Sequence, residues 1–260
     1  YTQSGVNFNP GIGFEMMDDY TVIRGGFSYG WISPEKSKLY MHRPEVRFMY
    51  RNFIDDGTFM SFTNYSGWDF QTKSQWQGSL FLVFNNERLR DSLEIMPDEL
   101  YIPQGKYSYL NFRGNLNTPM SRPFYLMFMT EAGQFYDGKR LSFRLQPTWN
   151  ISRHFELGGT YNFDHVSVSG RNVSMNNHIA GIKALYMFNT KLSVNAFIQY
   201  NTALNGIITN FRIRYNPKEG NDLYLVFNED RNTDLCRELP NLPVYNSRAV
   251  MIKYTYTFNL

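Results

Sequence analysis

Three features that define many protein classes are scarce in this sequence. Cys236 is the single cysteine among 260 residues, which excludes a disulfide framework and a multi-cysteine metal site. No apolar run approaches the ~18 residues that a membrane-spanning helix needs; the longest runs, such as Phe124–Met129, are far shorter. The net charge is only +3 and no dense Lys/Arg run occurs, so nucleic-acid binding is not expected.

Motifs for cofactors and for catalysis are also missing. We find no glycine-rich phosphate loop, no paired catalytic carboxylates and no histidine–cysteine metal spacing. The sequence therefore predicts no cofactor, no metal ligand and no catalytic residue, and it does not predict an enzyme.

Aromatic residues are abundant, at 17% of the chain with 19 Tyr and 22 Phe. Apolar residues alternate with polar ones in segments of about ten residues that are separated by turn residues, a pattern typical of transmembrane β-barrels. The end of the chain shows it best, because every second residue from Val250 is apolar or aromatic: Val250, Ile252, Tyr254, Tyr256, Phe258 and Leu260. One side of such a strand suits lipid and the other suits water.

The same alternation predicts an all-β, transmembrane, antiparallel up-and-down β-barrel of about fourteen strands, an even number as in bacterial barrels. We expect a single barrel domain over residues 1–260. Since the chain begins at Tyr1 rather than Met, we expect a processed mature chain or a piece of a longer protein. The predicted strands are Phe8–Met16, Tyr20–Ile32, Glu45–Ile54, Thr58–Phe70, Gln75–Asn86, Lys106–Thr118, Pro123–Ala132, Arg140–Ile151, Phe155–His165, Asn177–Phe188, Lys191–Asn201, Asn205–Tyr215, Asp222–Asn228 and Val250–Leu260.

Connection lengths predict the orientation. Bacterial barrels have short periplasmic turns and longer external loops. With a periplasmic C-terminus, the long connections Glu229–Ser247, Ser167–Asn176 and Leu89–Gly105 are external. The tight ones are periplasmic: Lys218–Asn221, Asn189–Thr190, Ser152–Arg153 and Thr72–Lys73. Ser33–Arg43 is the exception, as a longish periplasmic connection. We therefore expect the protein to lie in the outer membrane, in contact with its lipid. We also expect the N-terminus of the chain to enter the membrane from the periplasm.

The basic residues follow the polar side of the alternation. The lumen-lining set is predicted as Arg24, Arg47, Arg51, Arg113, Arg140, Arg144, Lys183, Arg212, Arg214 and Lys253. The acids on that side are Glu45, Asp69, Glu156 and Asp164. A basic interior would favour anions or an acidic plug. Alternatively, the arginines stabilise the interior through hydrogen bonds to tyrosines, amides and the few acids.

Aromatic residues near strand ends predict a girdle at the membrane boundaries; they are Trp31, Trp68, Trp76, Trp149, Tyr200 and Tyr215. Stacking on carbohydrate is the alternative role. The ending Tyr254, Tyr256, Phe258 and Leu260 is similar to the sorting signal that the barrel-assembly machinery reads, although a plain amphipathic strand would have the same pattern.

Two further groups have ordinary explanations. His165, Ser167, Ser169 and Asn172 include the residue types of barrel phospholipases, but no serine is marked as the nucleophile, and a polar strand end explains them. Asp18–Asp19 and Asp55–Asp56–Gly57 are acidic, and a calcium site is the alternative role. Both lie where tight turns are predicted, and Asp-Gly is a strong hairpin signal.

Four stretches resemble an outer-membrane family, that of the domain of unknown function 5916. They are Phe8–Phe14, Ile102–Gly105, Asp222–Glu229 and Lys253–Phe258. The resemblance implies a C-terminal barrel, which in long members follows a module similar to family-nine carbohydrate-binding domains. It implies no reaction.

The leading hypothesis is a non-enzymatic barrel that anchors a periplasmic module or belongs to an envelope complex. A passive pore for small polar or anionic solutes is the alternative, because a barrel of about fourteen strands is wide enough to conduct if nothing blocks it. An outer-membrane hydrolase is the weakest candidate.

Overall fold

The structure, a computed structural model, describes residues 1–6, 18–96 and 100–257. Strands make up nearly all of the regular structure. They are β1 Thr2–Ser4, β2 Tyr20–Ser28, β3 Trp31–Ile32, β4 Leu39–Phe53, β5 Phe59–Thr72, β6 Gln77–Leu89, β7 Leu93–Met96, β8 Leu100–Ile102, β9 Gly105–Asn117, β10 Phe124–Phe135, β11 Gly138–Asn150, β12 Phe155–Val168, β13 Val173–Met187, β14 Leu192–Asn201, β15 Gly206–Lys218, β16 Asn221–Asn232 and β17 Tyr245–Tyr256. One short 3₁₀ turn, Ser169–Arg171, joins β12 to β13.

The main sheet has its strands in chain order: β1, β2, β4, β5, β6 and then β9 to β17. β3 pairs with β4 beside this path, and β7 pairs with β8 in a separate two-stranded sheet. The ladders are antiparallel. The predicted all-β, antiparallel, up-and-down arrangement is therefore confirmed, and closure of the sheet into a barrel stays a prediction. In the described part of the chain, no helix is long or apolar enough to cross a membrane.

The beginning of the chain differs from the prediction. The predicted strand Phe8–Met16 lies outside the described residues, and the first strand found is the short β1. The predicted strand Tyr20–Ile32 is interrupted after Ser28 and resumes as β3. β3 pairs with residues 41 and 42 of β4, and Leu39 pairs with Thr72 of β5, so β4 begins at Leu39. The connection predicted over Ser33–Arg43 is shortened accordingly.

Two of the predicted long connections contain regular structure. Leu89–Gly105 includes the hairpin of β7 and β8. Ser167–Asn176 is mostly strand, because β12 continues to Val168 and β13 begins at Val173. The extra residues on both strands include buried or partly buried apolar side chains, and that burial stabilises the longer ladder.

The chain divides into two compact units. Unit 1 consists of Tyr1–Leu116, Met129–Ser142 and His165–Met175, and unit 2 consists of Asn117–Phe128, Phe143–Asp164 and Asn176–Leu260. The prediction of one domain over residues 1–260 stays a prediction.

Small apolar clusters are the buried cores of unit 1. Tyr20, Val22 and Met60 form one, and Leu100, Val166 and Val168 form the other. Polar side chains are buried as well, namely Ser61, Thr63, Ser79, Asn85 and Asn111. Burial of this many polar groups on one side of a sheet is unusual for a water-soluble protein, where buried sheet faces are apolar.

Candidate functional site

Unit 1 exposes an apolar sheet face. Residues opposite each other across a ladder share a face, and the register places Ile23, Tyr50 and Phe62 in one row. Leu82 is 54% exposed and Ile23 is 51% exposed. We call this the apolar face of unit 1; its large side chains are Ile23, Phe27, Val46, Phe48, Tyr50, Phe62, Trp68, Phe70, Leu80, Leu82 and Phe84.

Two aromatic rings on this face lie flat across glycines of a neighbouring strand. A Cβ atom built on Gly25 would be 2.6 Å from Cζ of Phe48, and one on Gly78 would be 2.6 Å from Cζ of Phe70. A side chain at either glycine would displace the ring. The glycines thus let aromatic rings cover the backbone of the apolar face.

The opposite side is the polar face of unit 1. One of its rows contains Arg47, Tyr65 and Val83, and the next contains Glu45 opposite Gly67. Arg47 Nε lies 2.7 Å from Glu45 Oε1, and its guanidinium carbon lies 5.5 Å from the Tyr65 ring centroid. The apolar and polar sets therefore alternate along each strand, as the sequence predicts for one lipid side and one wet side.

Some contacts on this polar face join strands that are not neighbours. Arg113 on β9 donates to the Tyr65 hydroxyl on β5, across β6, at 3.3 Å. Its Nε also lies 3.2 Å from Glu131 Oε2 on β10. The hydroxyls of Tyr109 and Tyr136 both donate to the Glu87 carboxylate, at 3.1 and 2.7 Å. The polar face of unit 1 is therefore partly covered by its own side chains.

Unit 2 has the same division into faces. Its apolar face is built from rows across β15, β16 and β17: Tyr215, Leu223 and Tyr254; Ile213, Leu225 and Ile252; Phe211, Phe227 and Val250. The next row contains an ion pair, Glu229 with Arg248, whose Oε2 and Nη2 atoms are 2.6 Å apart. The apolar rows therefore end at a charged row on the side of the long connection 233–244.

The polar face of unit 2 carries exposed arginines. Arg212 lies opposite Val226, and Arg214 lies opposite Tyr224. Both arginines are exposed. Arg214 donates to the Asp222 carboxylate at 2.7 Å. A wide polar surface with charged side chains is what a water-facing side would present.

Several of the predicted basic residues have identifiable partners. In unit 1, Arg24 donates to the Thr2 hydroxyl at 3.3 Å and Arg51 to the Ser61 hydroxyl at 3.4 Å. The guanidinium of Arg140 lies 5.4 Å from the Phe135 ring centroid. In unit 2, Arg144 Nε donates to Asn162 at 2.7 Å. The remaining lysines are placed by register, with Lys183 opposite Phe197 and Lys253 opposite Tyr224.

The sequence prediction missed several of the acids. Glu131 and Asp222 pair with arginines of the predicted set, and alternation within their strands was the available signal for both. Of the predicted acids, Asp69 pairs with Arg43 at 2.7 Å. The assignment of the whole set to a lumen stays a prediction.

The predicted girdle residues lie near strand ends. In unit 1, the Trp31 ring lies 3.9 Å from the His42 ring, and Trp68 stacks on Phe70 at 4.7 Å. Trp76 lies in the turn between β5 and β6 and is 38% exposed. These tryptophans therefore share one end of unit 1.

In unit 2, the exposed Trp149 and Tyr215 lie close to the turns 151–154 and 219–220, and Tyr200 lies near the turn 202–205. Of the predicted sorting signal, Tyr254 and Tyr256 are exposed on β17, with ring centroids 6.4 Å apart. Phe258 and Leu260 lie outside the described residues.

The predicted acidic turn is built around an arginine. Arg90 lies 2.7 Å from Asp55, 2.6 Å from Asp56 and 3.5 Å from Asp19. Hydrogen bonds from the Thr58 hydroxyl and amide lower the pKa of Asp56, and the hydrogen bond to Asp55 raises the pKa of Arg90. The acids thus stabilise a turn through a cation of the protein itself. Within residues 1–6, 18–96 and 100–257, no cluster of three or more His, Cys, Asp or Glu side chains is arranged to hold a metal ion.

The histidine and serines of the hydrolase alternative lie at the end of β12. His165 and Ser167 alternate with the buried Val166 and Val168. Asn172 follows the 3₁₀ turn with a φ of 54°. The expectation that the chain is not an enzyme stays a prediction.

Comparison with known proteins shows a weak structural similarity. No family model matches the chain, and no curated protein matches it. Among solved structures, the chain is similar to the toluene transporter TbuX of Ralstonia pickettii, with 11% identity and a TM-score of 0.34. The similarity covers 94% of this chain and 79% of that chain.

Proposed function

We propose that the chain is an outer-membrane β-barrel domain that serves as a non-enzymatic membrane anchor or as a component of an envelope complex. One observation carries the proposal. In both units the sheet exposes a face of large apolar side chains, and the opposite face carries the arginines, acids and amides. In water such an exposed apolar surface would drive association, whereas a lipid bilayer accommodates it.

The ends of the apolar faces support the same interpretation. Tryptophans and tyrosines lie near strand ends, where their amphipathic rings fit the headgroup region. The outward ion pair of Glu229 and Arg248 follows directly after the last apolar row of unit 2. Charges on a lipid face cost little near the membrane boundary and ~2–4 kcal/mol at its centre, so this row suits the boundary.

An anchor is favoured over an open channel by the polar face of unit 1. Arg113 on β9 contacts Tyr65 on β5 and Glu131 on β10, and Glu87 accepts hydrogen bonds from two tyrosine hydroxyls. These contacts favour an interior that is stabilised by its own hydrogen bonds and ion pairs over one with free cations that would attract anions. The proposal includes membership of the domain-of-unknown-function 5916 family, recognition by the barrel-assembly machinery, and a periplasmic module or envelope protein as the partner.

The test begins with the gel migration of the purified protein in detergent, with and without boiling. A barrel resists unfolding in the cold, so the unboiled protein should migrate differently from the boiled one. It should also require detergent for solubility. Identical migration together with good solubility in plain buffer would contradict the membrane proposal.

A passive pore for small polar or anionic solutes is the second candidate, and the exposed Arg212 and Arg214 on the polar face of unit 2 favour it. Conductance in a planar bilayer under a salt gradient separates the two. A silent, folded protein supports the anchor. Steady anion-preferring openings that change with Arg212→Gln would support the pore, and Arg248→Gln, on the apolar face, is the control that should leave selectivity unchanged.

A further inference from the structure

The connection between β6 and β9 contains a hairpin with one buried side. β7 and β8 pair through Leu93 opposite Ile102 and Glu94 opposite Tyr101. Ile102 is fully buried and Leu100 is 2% exposed, whereas Tyr101 between them is 55% exposed. A free surface loop would expose both sides, so the alternation of burial means that the hairpin is docked.

The docking surface belongs to unit 1. Leu100 packs in a cluster with Val166 and Val168 of β12, and Phe135 packs against this cluster. The Phe135 ring contacts Tyr109, with centroids 6.4 Å apart, and the Tyr109 hydroxyl donates to Glu87. Because Glu87 lies opposite Ser61 on the polar face, the hairpin covers a continuation of that face.

Arg171 holds the hairpin in place. It lies in the 3₁₀ turn after β12, and its guanidinium donates to the Tyr101 carbonyl and lies 5.5 Å from the Tyr101 ring centroid. Its Nη2 also lies 3.0 and 2.9 Å from the two carboxylate oxygens of Asp137, in the turn between β10 and β11. One cation thus connects the hairpin to two other turns, and we call Arg171, Asp137 and Tyr101 the latch.

A second tether lies at the far end of the hairpin. The Tyr107 hydroxyl donates to the Pro103 carbonyl at 2.7 Å. This bond fixes the chain where β8 leads into β9, whereas the latch fixes the hairpin itself. Loss of the latch therefore frees the hairpin but leaves its connection to β9 in position.

We propose that the β7–β8 hairpin is a cover that closes part of the polar face of unit 1, and that the latch controls its release. The inference rests on the proposed function, in which the polar face is the inner side of a membrane barrel. The hairpin then folds inward at the end with the longer connections, and its release exposes Val166, Val168 and Phe135 to the interior. Such a cover regulates access to the inside of the domain.

The experiment measures the accessibility of Val168. In a Cys236→Ser background, Val168→Cys gives a single thiol beneath the hairpin, and its labelling by a membrane-impermeant maleimide is timed in proteoliposomes. We expect slow labelling with the intact latch and labelling at least ~10-fold faster after Arg171→Gln, because a broken ion pair frees the carbonyl and the ring together. Asp137→Asn should act in the same direction.

Two controls make the outcome specific. Arg90→Gln removes a comparable arginine–aspartate cluster of unit 1, and it should leave the labelling of residue 168 unchanged. Leu204→Cys, in an exposed turn of unit 2, should label equally fast with and without the latch. Fast labelling of residue 168 in the intact protein, or an unchanged rate after Arg171→Gln, would overturn the proposal.

A disulfide variant covers the case in which Arg171→Gln impairs assembly. Leu100→Cys combined with Val168→Cys, in the same Cys236→Ser background, should form a disulfide under mild oxidation if the hairpin is docked. Two free thiols would overturn the proposal. Gel migration with and without boiling is recorded for every variant. If boiling does not change the gel migration of the parent protein, the barrel itself is contradicted. If boiling does change it but the cysteine at position 168 is labelled fast with the latch intact, only the cover is contradicted.

Discussion

Ile252 and Met251 provide the sharpest test of which face meets lipid. The two residues are neighbours on β17, point to opposite faces and are both exposed, at 75% and 48%. Ile252 lies opposite Leu225 in the middle apolar row of unit 2. Because it is so exposed within the chain, its replacement removes little internal packing, and the effect reports mainly on what surrounds the apolar face.

The magnitude follows from its position. Arg248 of the charged row lies four residues before Ile252, and Tyr256 lies four residues after it, about 13 Å along the strand on each side at ~3.3 Å per residue. Ile252 is thus midway between the two ends of the apolar face. An arginine at the centre of a bilayer costs ~2–4 kcal/mol, so Ile252→Arg should lower the free energy of unfolding from lipid vesicles by that amount.

Met251→Arg is the matched control. On a polar, water-facing surface the same substitution should change stability by about 0.5 kcal/mol or less. The assay is reversible denaturant unfolding from vesicles, followed by tryptophan fluorescence. Equal effects of the two substitutions, or a larger cost at Met251, would refute the assignment of the faces.

Three further predictions test the inner contacts and one turn. Gly67→Ala should prevent folding, because its Cβ would lie 2.2 Å from the Leu80 carbonyl oxygen. Gly158→Ala is the control and should fold normally, because the atoms nearest to its Cβ would be 3.9 Å away. Equal folding yields of the two variants would contradict this prediction. Arg113→Gln and Glu131→Gln should show a coupling of about 0.5–3 kcal/mol in a double-mutant cycle, and strictly additive effects would mean that the pair does not act together. Hydrogen bonds that lower the pKa of Asp56 stabilise the folded turn above the normal carboxyl range and are lost as the pH falls through the lowered pKa. Exchange of the Thr58 amide should therefore accelerate in acid more than its intrinsic rate predicts, and Asp56→Asn should abolish this pH dependence; an unchanged dependence would refute the assignment.

The sequence predicts the faces of the strands better than their ends. Alternation over Lys191–Asn201 and Asn205–Tyr215 predicts the two sets of side chains that the register shows, because a strand has a period of two. Strand ends depend on partners instead. β4 begins at Leu39, where it pairs with Thr72 of β5. Residues 41 and 42 of β4 also pair with β3, a partner only two residues long.

The contacts between distant segments were not predictable from periodicity. The latch joins Arg171 to residues 34 and 70 positions away in the chain. The hairpin at residues 93–102 is too short to show a periodic pattern, so the sequence marked it only as a connection.

The measurement that tests the central claim most directly is a nitroxide scan of residues 249–254 in lipid vesicles, each position replaced by cysteine in the Cys236→Ser background. Collision rates with oxygen report exposure to lipid, and collision rates with a water-soluble nickel complex report exposure to water. The account predicts a period of two, with residues 250, 252 and 254 accessible to oxygen and residues 249, 251 and 253 accessible to nickel. Nickel accessibility at all six positions, or no alternation, would contradict the claim that the apolar face of this sheet lies against lipid.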